Sequence, residues 1–319
     1  MAAPVPTRSR LRLLYVGGSG RSGSTLLGRV LGEGQGAICV GETQYLWTRG
    51  LRENVRCGCG LPFAECSFWT AVGETGFGGW GRLDDRRVAA LDRGTNRLRA
   101  LPLHATPHLR PGLARDIADY TAVLGRLYRA IGEVSGARTV VEISKTAPFV
   151  SLLSRVEDLD LSVVHLVRDP RAVAHSWRRR RRMPSPIAGD HFMPRFPARV
   201  TAVNWLATNA ALEVLSRRVP CERIAYEAFL EDPAAALGRL ASLMRGALPL
   251  PARASAGFEL GEHHIFSGNP MRERTGFVPL RGDGEWREGL SRRDFSEVTA
   301  ITLPLLLRYG YPVGRGVRG

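Results

Sequence analysis

Residues Leu11 to Gly32 read LRLLYVGGSGRSGSTLLGRVLG. An apolar run over 11–16 leads into a loop of glycines, serines and one arginine, Gly17 to Ser24, and an apolar helical pattern begins at Thr25 and Leu26. Strand, glycine-rich loop and helix is the layout that builds a phosphate cradle. Glycines let the backbone approach an anion, consecutive N–H groups point inward, and the helix N-terminus adds partial positive charge. Gly18, Gly23 and Thr25 fall on the spacing of a Walker A loop, G-x-x-x-x-G-K-[ST]. Ser24 stands where that loop has its lysine, and the loop's basic residue is Arg21, three positions earlier. Such a loop holds phosphate but lacks the group that reaches the β- and γ-phosphates of a nucleoside triphosphate.

Working outward, apolar runs over 37–40, 139–143, 161–167 and 223–226 read as further buried strands. Helical patterns lie over 25–31, 148–155, 171–181, 198–217 and 233–245. Strands alternating with helices predict an α/β fold, a three-layer P-loop-type parallel sheet with helices on both faces. Ligands on such sheets bind beyond the carboxyl ends of the strands. The Gly17–Ser24 loop, Glu42, Lys145 and Arg168 each follow a predicted strand, so all four should meet at that edge. Residues 45–137 look helical and irregular, with glycines at 73–81 and a proline-rich patch at 101–111. They read as an insertion after the second strand, covering the active-site edge of a single domain whose core is 11–44 and 138–312. Residues 183–197 hold four prolines and read as a loop able to act as a lid, and 315–319 read as a frayed end.

A chain of 319 residues, 44% hydrophobic, can bury a full core, which excludes extended disorder over most of its length. No apolar run approaches the roughly 18–20 residues that span a bilayer, so no transmembrane segment is expected. The N-terminus lacks the apolar stretch of a signal peptide, which makes the cytoplasm the expected location. The formal net charge is +15, yet of the 45 basic residues only Lys145 is lysine. That bias points to an arginine-favouring, GC-rich genome as much as to a selected nucleic-acid surface. The charge equally suits a polyanionic small molecule, and no nucleic-acid partner is expected.

The second informative stretch is LSVVHLVRDPRAVAHSWRRRRR, 161–182. A buried strand ends at Arg168, Asp169 and Pro170 open a helix as N-cap and first-turn residues, and Ser176 lies two turns in. Arg168 and Ser176 either grip a phosphate together or serve as an ion-pair partner and a solvated hydroxyl. Arg178–Arg182 is either a solvated helix end or a patch that steers an anion.

With both stretches in view, the chain resembles sulfotransferases that use 3′-phosphoadenosine 5′-phosphosulfate (PAPS). GRSGSTLL is similar to their modified P-loop, and VRDPRAVAHS to their strand-end arginine and helical serine. AYEAFLEDP (225–233) and GNPMR (268–272) are weaker echoes. The resemblance implies that Arg21, Ser22, Gly23, Ser24 and Thr25 contact the 5′-phosphate and that Arg168 and Ser176 contact the 3′-phosphate. It implies PAPS as co-substrate, no metal, and a hydroxyl-bearing acceptor such as a sugar, lipid, phenol or natural product. The absent Walker lysine fits a donor with no β- and γ-phosphates. The late glycine-rich basic segment, GNPMRERTG with GEWREGL, implies a further 3′-phosphate contact, for which Arg272 is preferred over Arg274 and Arg281.

Sulfuryl transfer to a hydroxyl needs a base in reach of its proton. Lys145 and Thr146 in ISKTAP resemble the pair that precedes a histidine base in the small-molecule enzymes, but Ala147 occupies the histidine position. Glu42 in CVGETQYLW resembles the strand-end glutamate of tyrosylprotein and some carbohydrate sulfotransferases. On its own it is either that base or the structural partner of an arginine. Lys145 and Arg21 are the candidates to stabilise charge on the oxygen between sulfur and the departing nucleotide. His104 and His108 lie in a proline-bracketed loop and read as solvated.

Cys57, Cys59 and Cys66 in CGCGLPFAEC do not meet the usual C-x₂-C zinc spacing, and no histidine or cysteine nearby supplies a fourth ligand. They read as reduced thiols or as one disulfide involving Cys66. Trp205 and Asn209, one turn apart, read as core, with an acceptor-pocket role as the alternative. Two other functions remain on the table: a P-loop nucleotide-dependent kinase, which needs ATP and Mg²⁺, and an arginine-rich nucleic-acid binder.

Overall fold

The computed structural model describes residues 10–180, 182, 192–246, 257–282 and 284–315. The readings above that concern 1–9, Arg181, 183–191 and 316–319 lie outside those residues. The main sheet has strands β1 (Leu11–Gly17), β2 (Ala37–Gly41), β3 (Thr139–Lys145), β4 (Leu159–Val167) and β5 (Cys221–Ala225). It is parallel in every pairing, in the order β2-β3-β1-β4-β5. Each strand lies within two residues of its apolar run. The runs are continuous because the strands are buried on both faces: Leu13 and Tyr15 of β1 enter one core, Leu14 and Val16 the other.

Helices cover both faces, as expected for the three-layer α/β fold. One face carries α1 (Ser24–Gly32) and, after β5, a helix over Pro233–Leu243 with the antiparallel strand pair Gly257–Leu260 and Gly276–Pro279. Leu27, Val30 and Leu31 of α1 are fully buried there, each contributing roughly 1.5–3 kcal/mol of burial. The other face is covered by α2 (Pro111–Ser135), from the long 45–137 stretch, and by α3 (Ala147–Leu153). Most of that stretch therefore packs on a sheet face, and only its first residues reach the ligand edge.

After β4 come α4 (Pro170–Arg178) and α5 (Ala198–Leu215), and α6 (Arg292–Arg308) packs against both. Asp169 caps α4 by accepting the Arg171 N–H at 2.9 Å, with Pro170 in the first turn. Arg315, expected to fray, is instead held by the carbonyls of Arg287 and Leu290. No described helix is long and apolar enough to cross a membrane. The chain winds one way from β1 to β2 and β3, then the other way to β4 and β5, so the order reverses beside β1. A crevice opens at the strand ends where it does so.

Candidate active site

That crevice is a cavity of about 940 Å³. It is lined by the loop after β1, by Glu42 after β2, by Lys145 at the end of β3 and by Arg168 after β4. The four strand-end positions converge. Seven cations line it, six of them arginine, against the carboxylates of Glu42 and Glu285.

The loop bends into α1 at Gly23, which is left-handed at φ 93°. A Cβ there would run into the Tyr226 ring, so only glycine permits the close approach. Gly23, Ser24 and Thr25 face the cavity, and the Thr25 hydroxyl accepts a hydrogen bond from Asn269 N–H at 3.4 Å. Ser22 departs from expectation: it is fully buried behind the loop, does not line the cavity, and its hydroxyl has no partner among the described residues. Arg21 is also left-handed, at φ 71°. Its guanidinium lies 4.7 Å from the Trp177 ring centroid and donates to Met193 Sδ at 2.9 Å. Met193 belongs to the described end of the proline-rich 183–197 stretch.

Arg168 and Ser176 line the same wall. Arg168 donates to the Arg21 carbonyl at 2.6 Å and sits 5.0 Å from the Tyr226 ring centroid. Asp169 does not pair with it; its carboxylate is taken by Arg171 at 2.6 and 2.8 Å. Trp205 holds the strand end by donating to the Arg168 carbonyl at 2.9 Å, and Asn209 bonds His165, so both serve the core. Arg178 and Arg179 are paired with Asp294 and Glu285, and the Arg180 guanidinium lies 3.7 Å from the Phe192 ring centroid, so the arginine run is anchored as far as Arg180.

Opposite, the Lys145 ammonium forms an ion pair with the Glu42 carboxylate, both largely buried. Lys145 has φ 75°, a left-handed strain for a β-strand end. Such strain persists only where the surroundings over-determine it, and here they do. Glu142, three residues before Lys145 on β3, is fully buried and accepts from the Ser144 and Thr43 N–H groups at 2.8 and 3.3 Å. It also accepts from the Thr43 and Tyr128 hydroxyls at 2.6 and 2.8 Å. Burial pushes its carboxyl up from the ordinary range, and these donors pull it back. This network fixes the turn that carries Glu42 and the strand end that carries Lys145. The sequence offered a signal for it, an acidic residue inside the apolar run VVEIS.

Arg272 is a correction. It is 5% exposed, does not line the cavity, and donates to the carbonyls of Arg56 and Ile265 at 3.0 and 2.9 Å. With its Nη1 committed to those carbonyls and its side chain outside the cavity, it is not placed to meet a phosphate there. Arg274 and Arg281 line the cavity instead, and so does Arg49, which donates to the Ser267 hydroxyl at 3.0 Å and which sequence reasoning missed. His104 is likewise not solvated: it is buried between the Ser151 hydroxyl and the Thr95 carbonyl.

The cysteines follow the reduced reading, with a neighbour the sequence did not indicate. All are free thiols, and a ring nitrogen of His264, 198 residues beyond Cys66, lies 3.3 Å from the Cys66 sulfur. Hydrogen bonding from Cys57, and then from His264, holds the Cys66 thiol well below its usual range.

No protein-family model and no curated protein matches the chain by sequence. By structure it superposes on the sulfotransferase domain of the Synechococcus PCC 7002 olefin synthase, with a TM-score of 0.51. That match covers 98% of this chain and 99% of that domain at 18% identity. It superposes equally on the sulfotransferase domain of the curacin biosynthetic pathway, with a TM-score of 0.55 over 96% and 100% of the two chains, also at 18% identity. The chain has the sulfotransferase fold. Within that fold the likeness extends over nearly the whole length of both chains, and so includes the 45–137 stretch as well as the sheet.

Proposed function

We propose that the chain transfers the sulfuryl group of PAPS to an acceptor hydroxyl. The observation that carries the proposal is the meeting, in one cavity, of a lysine-less phosphate loop, the Glu42–Lys145 pair and the Arg168–Ser176 wall. The residues fit such a donor. Gly23 lets Tyr226 pack directly on the loop, α1 presents its N-terminus to the cavity, and the two cationic walls match a nucleotide bearing anionic groups at two positions. PAPS would supply an activated sulfuryl group.

In this reading the loop amides with Ser24 and Thr25 hold the 5′-phosphate, and Arg168 with Ser176 holds the 3′-phosphate. Arg274 and Arg281 are the remaining candidates at the C-terminal wall. Glu42 accepts the proton of the acceptor hydroxyl. Lys145 neutralises Glu42 in the free protein, and an anionic donor competes for the same ammonium. Donor binding then draws Lys145 toward the charge that develops on the departing oxygen and leaves Glu42 free to act as base. Arg21, on the other side, adds a second cation. The concentration of basic side chains in a concavity, rather than along an open stripe, favours a small anion over a nucleic acid.

The test is turnover. PAPS is incubated with the chain and a panel of sugars, phenols and lipid alcohols, and both products are measured. The reading expects adenosine 3′,5′-bisphosphate and a sulfate ester in equal amounts with at least one acceptor class. Phosphorylation of the same acceptors from ATP and Mg²⁺ would contradict it.

A further inference from the structure

Away from the cavity, the sulfurs of Cys57, Cys59 and Cys66 and a ring nitrogen of His264 all lie within 4.8 Å of one another. Tetrahedral zinc with bonds of about 2.3 Å to sulfur and about 2.0 Å to nitrogen sets its ligand atoms roughly 3.5–3.8 Å apart. His264 Nδ1 lies 3.3 Å from Cys66 Sγ and 3.9 Å from Cys57 Sγ, on either side of that spacing. We propose that Cys57, Cys59, Cys66 and His264 form a structural zinc site that pins the start of the 45–137 stretch to the C-terminal wall of the cavity.

The backbone around the quartet is built to hold it. The Cys57 N–H donates to the Leu61 carbonyl at 2.8 Å and the Gly60 N–H to the Cys57 carbonyl at 3.0 Å. Arg56 and Pro62 bridge, and the Cys66 N–H returns to the Pro62 carbonyl at 3.1 Å. The result is a tight knuckle that turns three sulfurs to one side. A Cβ on Gly58 would enter the His263 ring, so the knuckle closes directly on the 263–264 backbone. The His264 ring is stacked on Phe68 with centroids 4.8 Å apart and planes 11° apart, and its carbonyl accepts from Trp69 Nε1 at 2.8 Å. These contacts orient the ring from outside the ligand set, as supporting groups around metal ligands do.

The donor set selects the metal. Three thiolates and one imidazole suit zinc, and four protein ligands leave no open position, which marks the site as structural rather than catalytic. A disulfide would use two of the thiols and leave the third stranded beside the imidazole. Charge supports the assignment as well. Three thiolates around Zn²⁺ leave one net negative charge, and the buried Arg272 guanidinium next to the knuckle pairs with no carboxylate among the described residues.

The site ties two segments that each reach the cavity, through Arg49 on one side and Gly268 and Asn269 on the other. The test uses the full chain purified under reducing conditions with zinc in the medium. Elemental analysis should find one zinc per chain. Exchange for Co²⁺ should give the visible bands of tetrahedral cobalt together with thiolate-to-cobalt charge transfer. Cys66→Ser and His264→Ala should each lose the stoichiometric metal, while Cys221→Ser, at a thiol outside the quartet, should keep it. A cooperatively melting wild-type chain with only trace zinc, a cobalt spectrum without thiolate charge transfer, or full metal in both quartet variants would overturn the proposal. If either quartet variant does not fold, the wild-type metal content and cobalt spectrum alone decide.

Discussion

The P-loop wall and the C-terminal wall of the cavity meet at Thr25, where Asn269 donates to the threonine hydroxyl. They are assembled in opposite ways. The first is contiguous: strand, loop and helix are neighbours in sequence, and local backbone geometry at Gly23 and Arg21 shapes the cradle. The second is held from a distance. Arg29 of α1 donates to the carbonyls of Gly261, Arg272 and Arg274, and Arg272 in turn holds Arg56 and Ile265. Two arginines that the sequence treats alike thus have different work. Arg168 faces the cavity, whereas Arg272 is consumed in fastening the wall. What separates the two is placement: each donates to backbone, but only Arg168 also lines the cavity.

The comparison can be broken most sharply at the reacting pair. Glu42→Gln should keep nucleotide binding and lower turnover by roughly 10²–10⁴-fold, the range of a positioned base. Retained turnover in that variant would return Glu42 to a structural ion pair. The two arginines give a crossed prediction. Arg168→Ala removes a charge-assisted contact worth about 1.5–3 kcal/mol, so calorimetry should find adenosine 3′,5′-bisphosphate bound at least tenfold more weakly, with a small change in the melting temperature of the free chain. Arg272→Ala leaves the buried Ile265 carbonyl unpaired and releases the Arg56 carbonyl. Denaturant unfolding should show a loss of about 2–4 kcal/mol, while affinity per folded molecule stays within about 0.5 kcal/mol. If Arg272→Ala instead weakened binding as Arg168→Ala does, the distinction between the walls would fail. The smallest effect is expected for Ser176→Ala, a single hydroxyl contact of about 1 kcal/mol, seen as a roughly fivefold rise in the dissociation constant.

The sheet was legible because buried parallel strands must be apolar on both faces, so each appears as an unbroken run such as LLYV or SVVHLV. The strand-end rule then brought Glu42, Lys145 and Arg168 to one edge without any pairing information. The hidden features share one property: each depends on a contact between segments far apart in the chain. His264 completes a quartet begun 207 residues earlier at Cys57. Arg272 finds its acceptors in the 45–137 stretch and in its own segment. Ser22 lies in the motif, yet the turn that exposes its neighbours directs it inward, which spacing alone does not reveal. Glu142 was visible as an anomaly, but its partners Thr43 and Tyr128 come from outside its strand.

The central claim is that a P-loop without its lysine, walled by Arg168 and Ser176, is a site for an adenosine 3′-phosphate nucleotide and not for a triphosphate. Thermal denaturation with adenosine 3′,5′-bisphosphate, compared with ATP and Mg²⁺, tests it most directly. At a hundredfold excess over the dissociation constant, a ligand of the native state adds about 2.7 kcal/mol, so in a chain of 319 residues the bisphosphate should raise the melting temperature by roughly 4 °C while ATP with Mg²⁺ leaves it nearly unchanged. Equal shifts from the two nucleotides, or a shift from ATP with Mg²⁺ alone, would contradict the account.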